Sequence, residues 1–248
     1  MAIYKDPISL FKQTNFSNTI WWKLKVNISA YQNETENKLV TEISKNRRFR
    51  ILYPNIYKGT NKYLRILIQL YEDGYVCWIN LDGLIIEKSK LIETQNLKYE
   101  HSFIKEKIPS ILKWIQTQSE LNNKYLWGGT LGPNFDCSGL IQTSFFKHNI
   151  YIPRDSYQIM NFCRHLFYFP GKTDLLKKGD LLFFGEDNVC NHVAIYSHNG
   201  IYYHSSGIEN GRNGISKENL YESQHDDKIS RLYRSKLICA GRVTRSYI

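Results

Sequence analysis

Apolar and polar positions follow two different rhythms along the chain, and the change comes shortly before residue 100. In the first part the apolar residues gather in short runs, TIWWKLKVNIS, RRFRILYP, KYLRILIQLY and YVCWINLDGLII, rich in Ile, Leu, Val, Tyr and Trp. Polar or turn-forming segments separate them: NETEN, PNIYKGTN and EDG. Helical periodicity is absent there, so the pattern predicts short strands joined by tight turns, a small barrel or sandwich.

After Glu87 the segment EKSKLIETQNLKYEHS is polar and aperiodic, which is the composition of a connection between domains. The predicted division is therefore an all-β domain over residues 1–95, a linker over 96–104 and a second domain over 105–248. In the second part, Ile104, Ile108, Ile111, Leu112, Ile115 and Leu121 fall at helical spacing. Pro109 predicts that this helix starts nearby, because proline fits a first turn better than a helix interior. A Gly/Pro-rich loop then runs into an apolar stretch from Ser138 to about His148 that suits a helix. KGDLLFFG, HVAIYSHNG, IYYHSSG and LICAGRV follow as strand candidates. Helices first and an antiparallel sheet afterwards define the α+β class.

Composition narrows the picture. With 248 residues, 42% of them hydrophobic, the chain has enough apolar material for one large core or two smaller ones, which excludes disordered and fibrous classes. No run approaches the roughly 20 apolar residues that span a bilayer. The opening MAIYKDPISLFKQTN lacks the apolar core of a secretory signal, so a cytoplasmic address is the expectation. Five scattered cysteines, an odd number without a CxxC pair, point to reduced thiols rather than a disulfide scaffold or a zinc site. The net charge of +10 raises nucleic acid or a membrane surface as a partner. However, the basic residues are spread along the chain and accompany no nucleic-acid-binding motif, so neither partner is expected.

Cys137 is the sharpest chemical candidate. It follows turn-forming sequence and Asp136 and would occupy the first turn of the predicted helix, where the helix dipole and free N–H groups would lower its pKa and could hold an oxyanion. The structural alternative is a small buried residue at a helix start. A thiol nucleophile needs a base and the base an orienting partner. His192 opens the strand HVAIYS, and His204 lies twelve residues on, a spacing that suits two antiparallel strands joined by the HNG turn. Cys77, Cys163, Cys190 and Cys239 sit in apolar or strand contexts and read as packing residues, with Cys190 a weak exception because it neighbours His192.

Together, YLWGGTLGPNFDCSGL, PRDSYQ, KKGDLLFFG, NHVAIY and YYHSSG resemble the NlpC/p60 family of cysteine peptidases, cell-wall hydrolases with a papain-like α+β fold. The resemblance covers residues 105–248. The all-β first part resembles a bacterial SH3-like (SH3b) domain, and the pair is similar to the cyanobacterial γ-D-glutamyl-L-diamino acid endopeptidases of cell-wall recycling. The resemblance implies Cys137 as nucleophile, His192 as base, His204 as its orienting partner and Tyr125 as a contributor to the oxyanion site. It implies that Asp136, Ser138, Arg154, Asp155 and Ser156 line the substrate cleft. From the first domain it brings Tyr63 and Glu72, which would recognise the free amino group of an N-terminal L-alanine. The hairpin EDG gives Glu72 an ordinary turn as its alternative.

The implied activity is cleavage of the γ-D-glutamyl-meso-diaminopimelate bond in L-Ala-γ-D-Glu-meso-diaminopimelate, a wall-derived peptide, without metal or cofactor. A papain-like amidase or acyltransferase with the same triad and a non-catalytic wall-peptide binder are the competing readings. The basic surface would then steer an acidic peptide.

Overall fold

A computed structural model describes residues 3–5, 19–58, 64–89, 101–167, 175–222 and 227–247. Its chain divides into two compact units, Met1–Asn96 and Leu97–Ile248, with the boundary inside the predicted linker.

The first unit is all-β, as its rhythm predicts. Its strands are β1 (Ile3–Lys5), β2 (Trp21–Leu24), β3 (Ile28–Tyr31), β4 (Leu39–Ile43), β5 (Arg48–Lys58), β6 (Leu64–Leu70), β7 (Val76–Asn80) and β8 (Ile85–Ser89). They form an antiparallel sheet in the order β1-β8-β2-β5-β6-β7-β3-β4. One core cluster containing Leu24, Ile43, Phe49, Ile68, Ile79 and Ile86 draws on strands from β2 to β8, so the sheet curls around its own apolar face.

Two predicted runs each become two strands. TIWWKLKVNIS breaks between Leu24 and Ile28, and YVCWINLDGLII breaks at Asp82 and Gly83, where the glycine adopts φ +72°. The polar stretch around NETEN, in which the sequence rhythm shows no strand, is the loop of the β3–β4 hairpin. The buried Arg65 clasps it by donating to the carbonyls of Asn33 at 3.1 Å and Glu36 at 2.6 Å.

The second unit packs helices against a six-stranded antiparallel sheet. Helix α1 (His101–Ser119) precedes α2 (Cys137–Phe146) and α3 (Ser156–Phe162). The strands are β9 (Arg164–Leu166), β10 (Leu181–Glu186), β11 (Val189–His198), β12 (Ile201–Ser206), β13 (Gly214–Asn219) and β14 (Leu237–Arg242), with helix α4 (Lys228–Ser235) between the last two. Their order is β13-β12-β11-β10-β14-β9.

Strict alternation splits the sheet's side chains between two cores. Leu181, Phe183, Val193, Ile195 and Tyr203 face the core shared with α1, α2 and α3. Leu182, Phe184, Ala194, Tyr196 and Tyr202 face a second core that includes Tyr233 of α4. Contrary to the proline-based expectation, α1 begins at His101 and carries Pro109 inside it. Pro109 lies on the exposed face, where water can reach the carbonyl left without its helical donor, while Ile104, Ile111 and Ile115 are buried on the other.

Candidate active site

Cys137 is the first residue of α2, and Asp136 is its N-cap. One carboxylate oxygen of Asp136 accepts from the Gly139 N–H at 2.6 Å, and the other accepts from the Gly128 N–H at 2.8 Å. This ties the helix start to the YLWGG loop. Gly139 is needed there, since a Cβ at that position would lie 2.1 Å from the Gly129 carbonyl oxygen. Arg154 completes the arrangement, donating to Asp136 at 2.5 and 3.2 Å and to the Ser138 hydroxyl at 2.7 Å.

Arg154 is therefore not a cleft residue. It is 2% exposed and turned beneath the nucleophile loop, because a buried guanidinium requires a carboxylate. Asp136 and Ser138 are likewise buried and committed to this network. Asp155 caps α3, with its N–H donating to Gln158 at 3.3 Å. Ser156 is buried at the start of that helix and reaches the Cys190 thiol.

The Cys137 sulfur lies near the backbone N–H groups of Val193 and Ser138, against β11 one residue beyond His192. The predicted pairing of the histidine strands is present, with β11 and β12 antiparallel and joined through the HNG turn. Nε2 of His192 is 2.9 Å from Nδ1 of His204. Nδ1 is thus the ring nitrogen of His192 left for the thiol. The Tyr125 N–H is held by Asn213 Oδ1 at 3.1 Å, and burial followed by the nearby Cys137 and Asp136 pushes its phenol pKa up. Its hydroxyl stays protonated and able to donate.

One electrostatic expectation is overturned. The helix start does not lower the Cys137 pKa; burial, then the Asp136 charge, pushes it up to about 12 and outweighs the two backbone donors. Burial also lowers the His192 pKa well below its ordinary value, helped by His204 and Lys236. The resting pair is a neutral thiol and a neutral imidazole.

Behind the histidines stands a group of residues without a sequence motif. His204 is fully buried, and its Nε2 lies 3.5 Å from Oε1 of Glu218. Glu218 is also buried and accepts from Arg212 at 2.7 and 2.9 Å, Ser216 at 3.2 Å and Ser230 at 3.1 Å. Burial pushes its carboxyl up, but the adjacent His204 and Arg212 prevail and bring it to about 2. Tyr233 packs its ring 4.9 Å from that of His192 and 4.5 Å from that of His204. Arg212, Asn213, Glu218 and Tyr233 all come from the polar stretch over residues 207–236, whose apolar pattern signals no element.

In the first unit, Glu72 does not present a free carboxylate. It is 5% exposed and pairs with Arg47 at 3.1 Å and Arg48 at 3.3 Å, and it also accepts from the Arg48 N–H at 3.0 Å. The turn needs this acid to neutralise two adjacent guanidinium groups. Tyr63 lies outside the described residues.

Comparison with known proteins agrees with the motifs. A gamma-D-glutamyl-L-lysine dipeptidyl-peptidase of Bacillus cereus is 40% identical over 185 residues, covering 72% of this chain and 47% of that protein. The bifunctional muramidase/DL-endopeptidase CwlT of Bacillus subtilis is 34% identical over 128 residues, covering 48% of this chain and 32% of that protein. The chain thus spans about half or less of the length of these relatives. A solved NlpC/P60 family protein from Bacillus cereus aligns with TM-score 0.45 and 23% identity over 92% of this chain and 64% of its own. A model of the NlpC/P60 family matches residues 122–234, from the loop before Tyr125 to the end of α4, and the second unit carries an NlpC/P60 family domain.

Proposed function

We propose that the second unit is a cysteine peptidase that hydrolyses the γ-D-glutamyl bond to the diamino acid of peptidoglycan stem peptides. The observation that carries the reading is the position of Cys137 beside Val193, next to His192, whose Nε2 is occupied by His204. In the first step, Nδ1 of His192 takes the thiol proton as sulfur bonds to the γ-carbonyl carbon. Proton transfer accompanies attack, because the resting groups are both neutral.

The Cys137 N–H, a first-turn donor without an intrahelical acceptor, and the Tyr125 hydroxyl stabilise the oxyanion. The imidazolium then protonates the departing amine, leaving a thioester. Water, deprotonated by His192, cleaves it and restores the thiol. The activities for which the two relatives are named, on γ-D-glutamyl-L-lysine and as a DL-endopeptidase, support this bond class.

The proposal extends to stem peptides with a free N-terminal L-alanine, to an SH3b-like first unit and to a recycling role in the cytoplasm. Glu72 is left out, since its oxygens are already taken. Purified protein should release L-Ala-D-Glu from L-Ala-γ-D-Glu-meso-diaminopimelate or its L-lysine counterpart, and Cys137→Ala should lower the rate by about 10³-fold or more. Turnover unchanged in that variant would remove the assignment. Equal rates with an acetylated N-terminus would remove the free-amine requirement.

A further inference from the structure

Two imidazoles in contact through nitrogens share one proton, and where it sits decides whether His192 can act. With the proton on His192 Nε2, the His192 Nδ1 carries a lone pair and can take the thiol proton. His204 is then bare at Nδ1 and protonated at Nε2. With the proton on His204 Nδ1, His192 must carry its own hydrogen on Nδ1, facing the sulfur with an N–H and no lone pair. The 2.9 Å contact by itself allows both arrangements.

The group beyond His204 breaks the tie. Its Nε2 is fully buried, and among the described residues it has no hydrogen bond to any other group, yet an oxygen of Glu218 stands 3.5 Å away. Arg212 holds that carboxylate from the far side through two N–H groups. An ionised carboxylate only accepts. A lone pair on His204 Nε2 would face a buried negative charge across a gap too short to admit a water, whereas an N–H there is attracted to it. We propose that Glu218 is a positioning residue that fixes the tautomers of both histidines and so makes His192 Nδ1 a base. This proposal rests on the peptidase reading for its effect on rate, but not for the tautomers themselves.

Glu218→Gln replaces the obligate acceptor by an amide that can also donate to His204 Nε2, which admits the unproductive arrangement. The expected loss in kcat is about 10- to 100-fold, the usual range for a partner that orients a site histidine, with KM little changed. His204→Asn provides the control. Its side-chain oxygen can occupy the place of Nδ1, accept from His192 Nε2–H and leave Glu218 without an imidazole to direct. Adding Glu218→Gln to His204→Asn should then cost nothing further. An equal loss in both backgrounds would show a merely structural role and overturn the proposal.

Imidazole ¹⁵N shifts of the unmutated protein give a reading independent of activity and of any variant's folding. His204 should be protonated at Nε2 and His192 at Nε2, and a proton on His192 Nδ1 would overturn the inference. Those tautomers in a protein with no Cys137-dependent hydrolysis would sink the peptidase reading alone. Cys137-dependent hydrolysis by a protein with the opposite tautomers would sink this inference alone.

Discussion

Cys137 and His192 are each backed by a carboxylate held by an arginine, Asp136 with Arg154 on one side and Glu218 with Arg212 on the other. The difference lies in the arginine. Arg154 has a side chain only 2% exposed and also bonds Ser138, whereas the Arg212 side chain is 32% exposed and shares its charge with Asp227 at 3.5 Å. The nucleophile is braced by a pair sealed in the interior, and the base by a buried carboxylate whose arginine opens on water. A sealed pair cannot lose one partner cheaply, because the other is left as a buried charge. In the second pair only the arginine reaches water, and Glu218 keeps Ser216 and Ser230 as donors when Arg212 is lost. The comparison teaches that the position of the sulfur is a property of the core, while the state of the histidines is set by a buried carboxylate whose counter-charge reaches the surface.

The largest expected effect breaks the sealed side. Asp136→Asn should lower unfolding stability by about 3–5 kcal/mol, measured by urea denaturation, although the amide oxygen can still cap the helix. A cost below about 1 kcal/mol would show that Arg154 is not dependent on that charge. The next effect belongs to Glu218. Its pKa is depressed in the folded state, so its contribution is fully present above the ordinary carboxylate value and is lost as pH falls through about 2. Relative to Glu218→Gln, the unmutated protein should lose up to about 3 kcal/mol between pH 6 and pH 2. Parallel pH profiles for the two proteins would refute this.

The smallest effect tests the open side directly. Arg212→Gln should cost about 1–3 kcal/mol, because the buried Glu218 keeps Ser216 and Ser230 as donors, and a loss as large as that of Asp136→Asn would erase the distinction between the two braces. One further measurement sharpens the chemistry on the nucleophile side. With the thiol pushed up to about 12, alkylation of Cys137 by iodoacetamide should keep rising with pH through the neutral range and beyond. A plateau below pH 7 would instead indicate a preformed thiolate.

The same division explains what could be read from the sequence. The nucleophile loop is local: Asp136, Cys137, Ser138 and Gly139 are consecutive, so capping and glycine rules locate the helix start to within a residue. The four strands KGDLLFFG, HVAIYSHNG, IYYHSSG and LICAGRV appear as β10, β11, β12 and β14, since continuous apolar runs between turn signals survive any tertiary context. β13 and α4 were invisible because GISKEN and KISRLYRS carry too few apolar residues. Their burial comes from Glu218, Ser230 and Tyr233, whose polar atoms are satisfied by distant partners. Arg154 was misplaced for a related reason. A motif arginine reads as a ligand for substrate until its carboxylate is found eighteen residues earlier in the chain.

The contact between Gly139 and the Gly129 carbonyl has a consequence for altering this protein. The space between helix start and loop is smaller than a methyl group, so the position of the sulfur cannot be adjusted there by any side-chain substitution. Changes of substrate preference must then come from residues beyond this seam, which leaves the reacting atom as a fixed reference while the surface around it varies.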